Sequence, residues 1–326
     1  IRYGDATART IDVRTAGAAA GFLNLGAGGG ATGTAVSNPG GILVATGAGA
    51  LTIGVASGAT GGTIMAGGTT TATPGQLVFI NNSTSHITVN STISFNGTTA
   101  GTTDVVYEGR STGKLILAGN NTTNGSIIIN KGTLEVAAVN NAATAGPLGQ
   151  STAGATNILL NGGTFRVTLA GGSGATDHGI TVNAPSTIDV AANTLTINST
   201  LLGVSSIQDH LGIQNAGILT KAGAGTLELK NLTTAANNLN LSIRVSAGTL
   251  ILSQASTSAI SAIDLAGSAG LIIDALATAQ LGAAGTGGNQ ISDASSVVVN
   301  STGIFNLNGI SETIDGLAGD GTVQAN

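Results

Sequence analysis

The amino-acid sequence predicts an all-β fold, a single parallel β-solenoid, on three observations. The first is a phrase that recurs along the chain: Gly, often Thr, an apolar residue, any residue, an apolar residue. Copies begin at Gly113, Gly132, Gly163, Gly225, Gly248, Gly303 and Gly321; another begins at Asn193 in place of Gly, and an early outlier begins at Gly49. From Gly113 onward successive starts lie 19, 31, 30, 32, 23, 55 and 18 residues apart, and Leu271–Asp274 is expected to be a degenerate copy inside the longest gap. Self-similarity at such a period marks chains in which one turn cannot bury its apolar face alone and must stack on the next. The second observation is that the apolar runs are a few residues long and are bounded by Gly, Asn and Thr, which turn a backbone sharply. The third is composition: 8% of residues are charged, 2% are aromatic and 52 are Gly, against roughly 25% charged in ordinary soluble domains. A narrow core between closely stacked strands takes Leu, Ile, Val and Ala, and its backbone ladders leave little need for ion pairs.

The chain opens with Ile1–Gly17, which differs from all that follows. It carries Arg2, Arg9 and Arg14 with Asp5 and Asp12, and an alternating strand at Thr10–Val13. This segment is read either as a polar cap over the end of the core or as an assembly strand. Strands are then expected at Gly41–Ala45, Ala50–Val55 and Gly62–Met65, followed by a denser set at Gln76–Ile80, His86–Val89, Thr92–Phe95 and Asp104–Tyr107. Asn81-Asn82-Ser83 and Asn96-Gly97-Thr98 are turn signals between members of that set. The clearest stretch is Gly113–Gly149, with apolar runs at Leu115–Leu117, Ile127–Ile129 and Leu134–Val136. Because strand side chains alternate between faces, the two apolar residues of each phrase point inward and the residue between them outward. The middle slot holds Glu135, Arg166, Thr196, Glu228 and Asn306 as well as Ile251. One solenoid domain is expected over 1–326, with repeats recognisable over 105–326 and 1–17 set apart; at roughly 20–28 residues per turn it would contain about 12–16 turns.

Composition also excludes several classes. Apolar residues make up 41% and the net charge is −5, which is not the signature of a disordered chain. Gly does not fall at every third position, so collagen is excluded. The apolar runs are too short for a transmembrane helix, so this segment is not expected to insert into a membrane. Ten Lys and Arg against fifteen Asp and Glu, thinly spread, form no basic stripe for nucleic acid. With no Cys there is neither a disulfide framework nor a thiolate metal site, as suits an exported chain. The start at Ile1 without Met reads as a processed chain or a piece of a longer one.

The stretch Gly113-Lys-Leu-Ile-Leu-Ala-Gly-Asn-Asn121, then Asn124-Gly125, Ile127–Ile129, Lys131-Gly-Thr-Leu-Glu-Val136 and Gly146-Pro-Leu-Gly149, resembles the autotransporter-associated β-strand repeat of bacterial type V passenger domains. A second copy resembles it in Leu219-Thr-Lys-Ala-Gly-Ala-Gly-Thr-Leu-Glu-Leu229 and Ser246–Leu252, departing at Thr233–Asn240, where the usual Gly after the Asn run is missing. Leu307–Val323 is similar to the phrase that commonly follows such repeats. The resemblance implies a right-handed parallel β-helix, an extracellular or cell-surface location and an adhesive or structural role.

Residues that could carry chemistry are few. β-Helices also serve as polysaccharide lyases and hydrolases, and the acidic candidates are Asp177 with His178, Asp189, Asp209 with His210, and Asp264 with Asp274; Asp189 and Asp209 lie about one turn apart. Glycoside hydrolysis would require two carboxylates roughly 5–9.5 Å apart. Gly171–Asp177 has an extra residue relative to a calcium-binding nonapeptide and occurs once, so it reads as a loop. His86, His178 and His210 are far apart. Gly26–Gly30 lacks the Lys and helix of a phosphate loop. No catalytic, metal or cofactor residue is assigned, and an enzyme is not expected.

The functional expectation is therefore a structural or adhesive protein outside a bacterial cell. In one version it is a subunit that stacks head to tail into filaments, with Arg2, Tyr3, Arg9, Ile11, Val13, Arg14 and Val323 as the assembly residues. In the other it is a monomeric passenger stalk that contacts cell-surface or matrix ligands. Open solenoid ends are unpaired β edges, which is why the two ends carry the question.

Overall fold

The computed structural model describes residues 1–13, 21–25, 39–55, 62–66, 75–94, 102–154, 156–198, 217–230, 242–254, 261–263, 269–282 and 289–325. The turn signal at Asn96-Gly97-Thr98 and the departure at Thr233–Asn240 lie outside these residues. Among the described residues every regular element is a β-strand, and each strand is paired in parallel with its ladder neighbours. The all-β expectation, with parallel strands stacked as in a solenoid, therefore holds. The chain divides into two compact units.

The first unit comprises Ile1–Ala153 with Asn157–Leu159 and Gly163–Phe165. One of its sheets runs Arg2–Tyr3, Pro39–Val44, Gly75–Asn81, Thr103–Gly109 and Ile127–Lys131. A second runs Arg9–Ile11, Leu51–Ile53, Ile87–Val89, Leu115–Leu117 and Thr133–Val136, and a third Phe22–Leu25, Thr63–Ala66 and Thr92–Ser94. Strands adjacent in space are one turn apart in sequence: Leu43 lies beside Arg2 and Ile80 beside Leu43, while Val105 lies beside Leu77 and Ile127 beside Val105. A turn therefore takes 41, 37, 28 and then 22 residues. Parallel neighbours cannot be joined by a tight hairpin. Here the rest of each turn, passing through the other sheets, makes the crossover.

In-register stacking converts sequence alternation into columns. Leu51, Ile87, Leu115 and Leu134 form one column, and Ile53, Val89, Leu117 and Val136 another; all eight are buried. Burying each such side chain stabilises the fold by about 1.5–3 kcal/mol. Between the columns, Thr52, Thr88, Ile116 and Glu135 are only half-buried and face outward. Phe79 and Tyr107 stack in the first sheet, both fully buried, and the Tyr107 hydroxyl donates to the Gly113 carbonyl at 2.8 Å.

Corners are made in two ways. Gly132 has φ +78°, and a Cβ there would sit 2.7 Å from the Gly109 Cα of the preceding turn, so only Gly fits between the strands Ile127–Lys131 and Thr133–Val136. Asn supplies the second device, with its amide standing in for backbone. Asn121 accepts from the Ile93 N–H at 2.8 Å and donates to the Pro147 carbonyl at 3.0 Å. Asn81 accepts from the Ser83 N–H at 3.0 Å and donates to the Ser85 carbonyl at 2.9 Å, forming the turn expected at Asn81-Asn82-Ser83.

The second unit comprises Gly154–Thr156, Leu160–Gly162 and Arg166–Asn326. One sheet runs Ser186–Val190, Ile218–Ala222, Ser242–Val245, Ala269–Ile273, Ser296–Val299 and Gly316–Ala318. Another runs Gly174–Thr176, Thr194–Ile197, Thr226–Leu229, Thr249–Leu252, Thr278–Leu281, Ile304–Asn306 and Thr322–Gln324. One expectation is corrected here. The copies of the phrase in this unit, beginning at Asn193, Gly225, Gly248, Gly303 and Gly321, all fall in the second of these sheets, whereas Ala269–Ile273 belongs to the first, with Leu271 beside Ile243, so Leu271–Asp274 is not the copy that fills the gap between them. The missing copy is Thr278–Leu281, between Thr249–Leu252 and Ile304–Asn306. Its leading residue is Ala277 rather than Gly, and its first inward residue is Ala279, so both halves of the signal are muted.

Burial pushes the Tyr107 hydroxyl up to about 12 from 10.0. An unfolded chain ionises this group near 10, so between these values the folded chain holds a proton that the unfolded chain has lost. Stability from Tyr107 is intact below about pH 10 and falls by about 1.4 kcal/mol per pH unit from there towards pH 12. Denaturant titrations of the first unit above pH 10 should show this slope, and Tyr107→Phe should abolish it. An equal slope in both proteins would contradict the assignment.

Candidate functional surfaces: outward faces and end coils

Two of the acidic residues that suggested chemistry, Asp189 and Asp274, are paired with arginines across turns. Asp189 is ion-paired with Arg166. Its ladder neighbour in the next turn is Ala222, and Asp209 lies outside the described residues. Asp274 is ion-paired with Arg244 at 2.6 Å and also accepts from the Asn300 amide at 3.1 Å, while Asp264 lies outside the described residues. Lys114 and Glu135 form a third pair at 2.6 Å. Each pair spans neighbouring strands, which offsets charge on a solvated face and fixes register rather than arranging two carboxylates around a bond. His178 is fully buried, the His86 Nδ1 accepts from the Lys114 N–H at 3.2 Å, and His210 and Gly26–Gly30 lie outside the described residues. Gly171 and Gly172 sit in an open turn before the strand Gly174–Thr176. Among the described residues no three His, Asp or Glu side chains cluster as a metal site.

The outward surface repeats from turn to turn. In the second unit, the Thr of the phrase stacks as Thr194, Thr226, Thr249 and Thr278, then Ile304 and Thr322, a regular hydroxyl column along one face. Beside it run Thr196, Glu228, Ile251, Gln280, Asn306 and Gln324, with the Thr196 hydroxyl donating to Glu228 at 2.9 Å. In the first unit one outward column is apolar, Gly41, Val78, Val106 and Ile128, next to Leu43 and Ile80, with Glu108 continuing the latter column. The missing side chain at Gly41 leaves a groove of about 360 Å³ bounded by Ile1, Leu43, Val78 and Ile80.

The sequence-predicted assembly residues fall on end coils. Arg2–Tyr3 and Arg9–Ile11 are the outermost strands of their sheets. Tyr3, beside Val44, donates from its hydroxyl to the Thr7 carbonyl; Asp5 accepts from the Thr7 N–H at 2.9 Å and is ion-paired with Arg9 at 2.6 Å. Arg9 lies beside Leu51 and Ile11 beside Ile53, so a polar network covers part of the core columns. Val13 is buried, and Arg14 lies outside the described residues. At the other end Thr322–Gln324 and Gly316–Ala318 are outermost. There Val323, beside Phe305, is 42% exposed, and Leu317, beside Val297, is 56% exposed.

One buried charged residue was not singled out from the sequence. Lys221 occupies an inward slot between Ile188 and Val245 and is fully buried. Its ammonium donates to the carbonyls of Ala222 at 2.9 Å, Gly223 at 2.8 Å and Ala247 at 2.9 Å. All three protons are thus used, tying the corner of its own turn to the next. Burial pushes the group down to about 8 from 10.5, and the Asp189 carboxylate pulls the other way. The signal for it was a Lys at the next inward position after Leu219, where alternation calls for an apolar residue. Lys221→Met would keep the stem but leave three carbonyls unpaired, at an expected cost on the order of 3 kcal/mol. Amide exchange in Ser242–Val245 should quicken accordingly, and unchanged protection would refute the staple.

Over 142 residues, 43% of this chain, the sequence is 36% identical to a protein named "Adhesin BmaC autotransporter" from Brucella suis biovar 1 (strain 1330). The match covers 4% of that protein's length. No family model matches the chain, and no solved structure matches it. The likeness to a protein named as an autotransporter adhesin is consistent with an autotransporter passenger, on a fold of stacked parallel strands.

Proposed function

We propose that this chain is part of an extracellular, cell-surface adhesive protein of a bacterium and works by surface contact rather than catalysis. The observation that carries the reading is the pairing of parallel stacked coils with partial identity to a protein named as an autotransporter adhesin. Supporting it, the acidic candidates Asp189 and Asp274 are each matched to an arginine across turns. The contact surfaces are the threonine column of the second unit and the apolar column of the first, whose ligands belong to other cells or their matrix. A regular face repeats its contacts at every turn, so weak contacts sum by multivalency.

To test the adhesive reading, beads coated with the purified chain are incubated with host-cell monolayers and with immobilised matrix. Retention well above uncoated beads is expected. Retention no greater than that of beads coated with an unrelated β-rich protein would overturn it.

A further inference from the structure

The outward face of one sheet in the second unit is both regular and almost free of charge. Its strands, Gly174–Thr176, Thr194–Ile197, Thr226–Leu229, Thr249–Leu252, Thr278–Leu281, Ile304–Asn306 and Thr322–Gln324, contain one charged residue, Glu228, whose carboxylate accepts the Thr196 hydroxyl at 2.9 Å. Two outward columns run along it: Thr194, Thr226, Thr249 and Thr278 stack in register in the first, and Thr196, Glu228, Ile251, Gln280 and Asn306 in the second. Neighbouring turns are about 4.8 Å apart. Hydroxyls and amides therefore recur at close to the length that one sugar unit adds to an extended polysaccharide. Thr hydroxyls and Gln and Asn amides both donate and accept, as sugar hydroxyls do. The threonine methyls, Ile251 and Ile304 add apolar area suited to the C–H faces of sugar rings. An anionic polymer is held by rows of Lys and Arg, and neither column contains one.

A second observation lies at the corner that leads the chain onto this face. Two residues before the leading position of each strand stand Ala192, Ala224, Ala247, Leu276 and Thr302 in successive turns. Leu276 is 84% exposed, the most of any large apolar side chain among the described residues, and its φ is +63°, which bulky residues rarely adopt. The Ala277 N–H donates to the Asp274 carbonyl at 3.2 Å and the Leu276 N–H to the Thr302 hydroxyl at 3.2 Å, which fixes the corner. Gly would fit this backbone better, and the exposed Leu side chain gives the chain no burial in return. Strain of this kind persists where function uses it. Two residues before Thr278, Leu276 stands at the margin of the hydroxyl face as an apolar lip.

We propose that this face binds a neutral, linear polysaccharide, which lies along the threonine column and packs a sugar ring against Leu276. This rests on the adhesive reading above and names its class of ligand. Neither outward column contains an aromatic ring, so each contact is weak and affinity comes from the number of turns engaged.

Affinity electrophoresis of the purified chain through gels containing hydroxyethylcellulose, mixed-linkage β-glucan or dextran, with heparin as the anionic comparison, tests this. Retardation by at least one neutral polymer is expected, equal in about 50 mM and about 500 mM salt because no ion pair is involved. Oligosaccharides of that polymer should compete better as they lengthen from disaccharide to hexasaccharide. Thr249→Val/Thr278→Val keeps the branched shape that suits a strand, removes two hydroxyls and should weaken retention about tenfold. Leu276→Gly should also weaken it while leaving the thermal midpoint unchanged or higher, a split that a purely structural role for Leu276 does not give. Thr220→Val, on the neighbouring sheet, should change nothing. The proposal is overturned by an absence of retardation in every neutral gel, by retardation in heparin alone, or by an equal loss in Thr220→Val. Beads coated with Thr249→Val/Thr278→Val that hold cells as well as the unsubstituted chain, with a hold lost on protease treatment of the cells but surviving periodate, would show a protein occupant. That result removes the polysaccharide and leaves the adhesive reading intact, whereas unsubstituted beads that fail to hold cells remove the adhesive reading itself.

Discussion

The parallel backbone ladder between successive turns is the interaction on which the rest of the structure depends. Each strand is held to the strand one turn away, not to its neighbour in sequence, so residues at equivalent positions are forced into columns. Leu51, Ile87, Leu115 and Leu134 are buried because each roofs the one before it. The close spacing that makes the ladder also sets the corner chemistry. Gly132 must lack a side chain because the backbone of Gly109 lies against it.

The same constraint explains why charge is rare and where it is spent. In a stack, an outward residue has a neighbour above and below, so a single ion pair such as Lys114 with Glu135 bridges two turns. Polar groups inside the stack must be satisfied by backbone, as Lys221 is by three carbonyls. Gln254 and Gln290 exchange bonds between side chain and backbone at 2.9 and 2.8 Å, and the Glu312 carboxylate closes that column from the last turn. Charges committed in this way serve geometry. The outward faces, by contrast, repeat from turn to turn.

Much of the fold was legible because local pattern and tertiary role coincide. The outward middle slot was readable from Glu135, Arg166 and Glu228, and Gly132 from its place between two apolar runs. Legibility failed where a residue's role depends on a distant turn. Thr278–Leu281 escaped notice because Ala277 and Ala279 are too small to mark a strand, whereas Leu271 and Ile273 looked like the phrase but stack on Ile243 and Val245. Asp189 and Asp209 were matched by sequence distance alone, yet turns vary from 22 to 41 residues in the first unit, so a fixed period cannot say what stacks on what.

By itself, the sequence determined the fold class, the alternation of inward and outward residues and the corner positions, because these follow from two-residue strand periodicity and from the backbone freedom of Gly and Asn. The register was decided only by tertiary structure: which column each strand joins, the burial of Lys221 among carbonyls, and the exposure of Leu317 and Val323. Those depend on what lies one turn above or below, a neighbour whose distance along the chain is set by loop length and not by any local pattern.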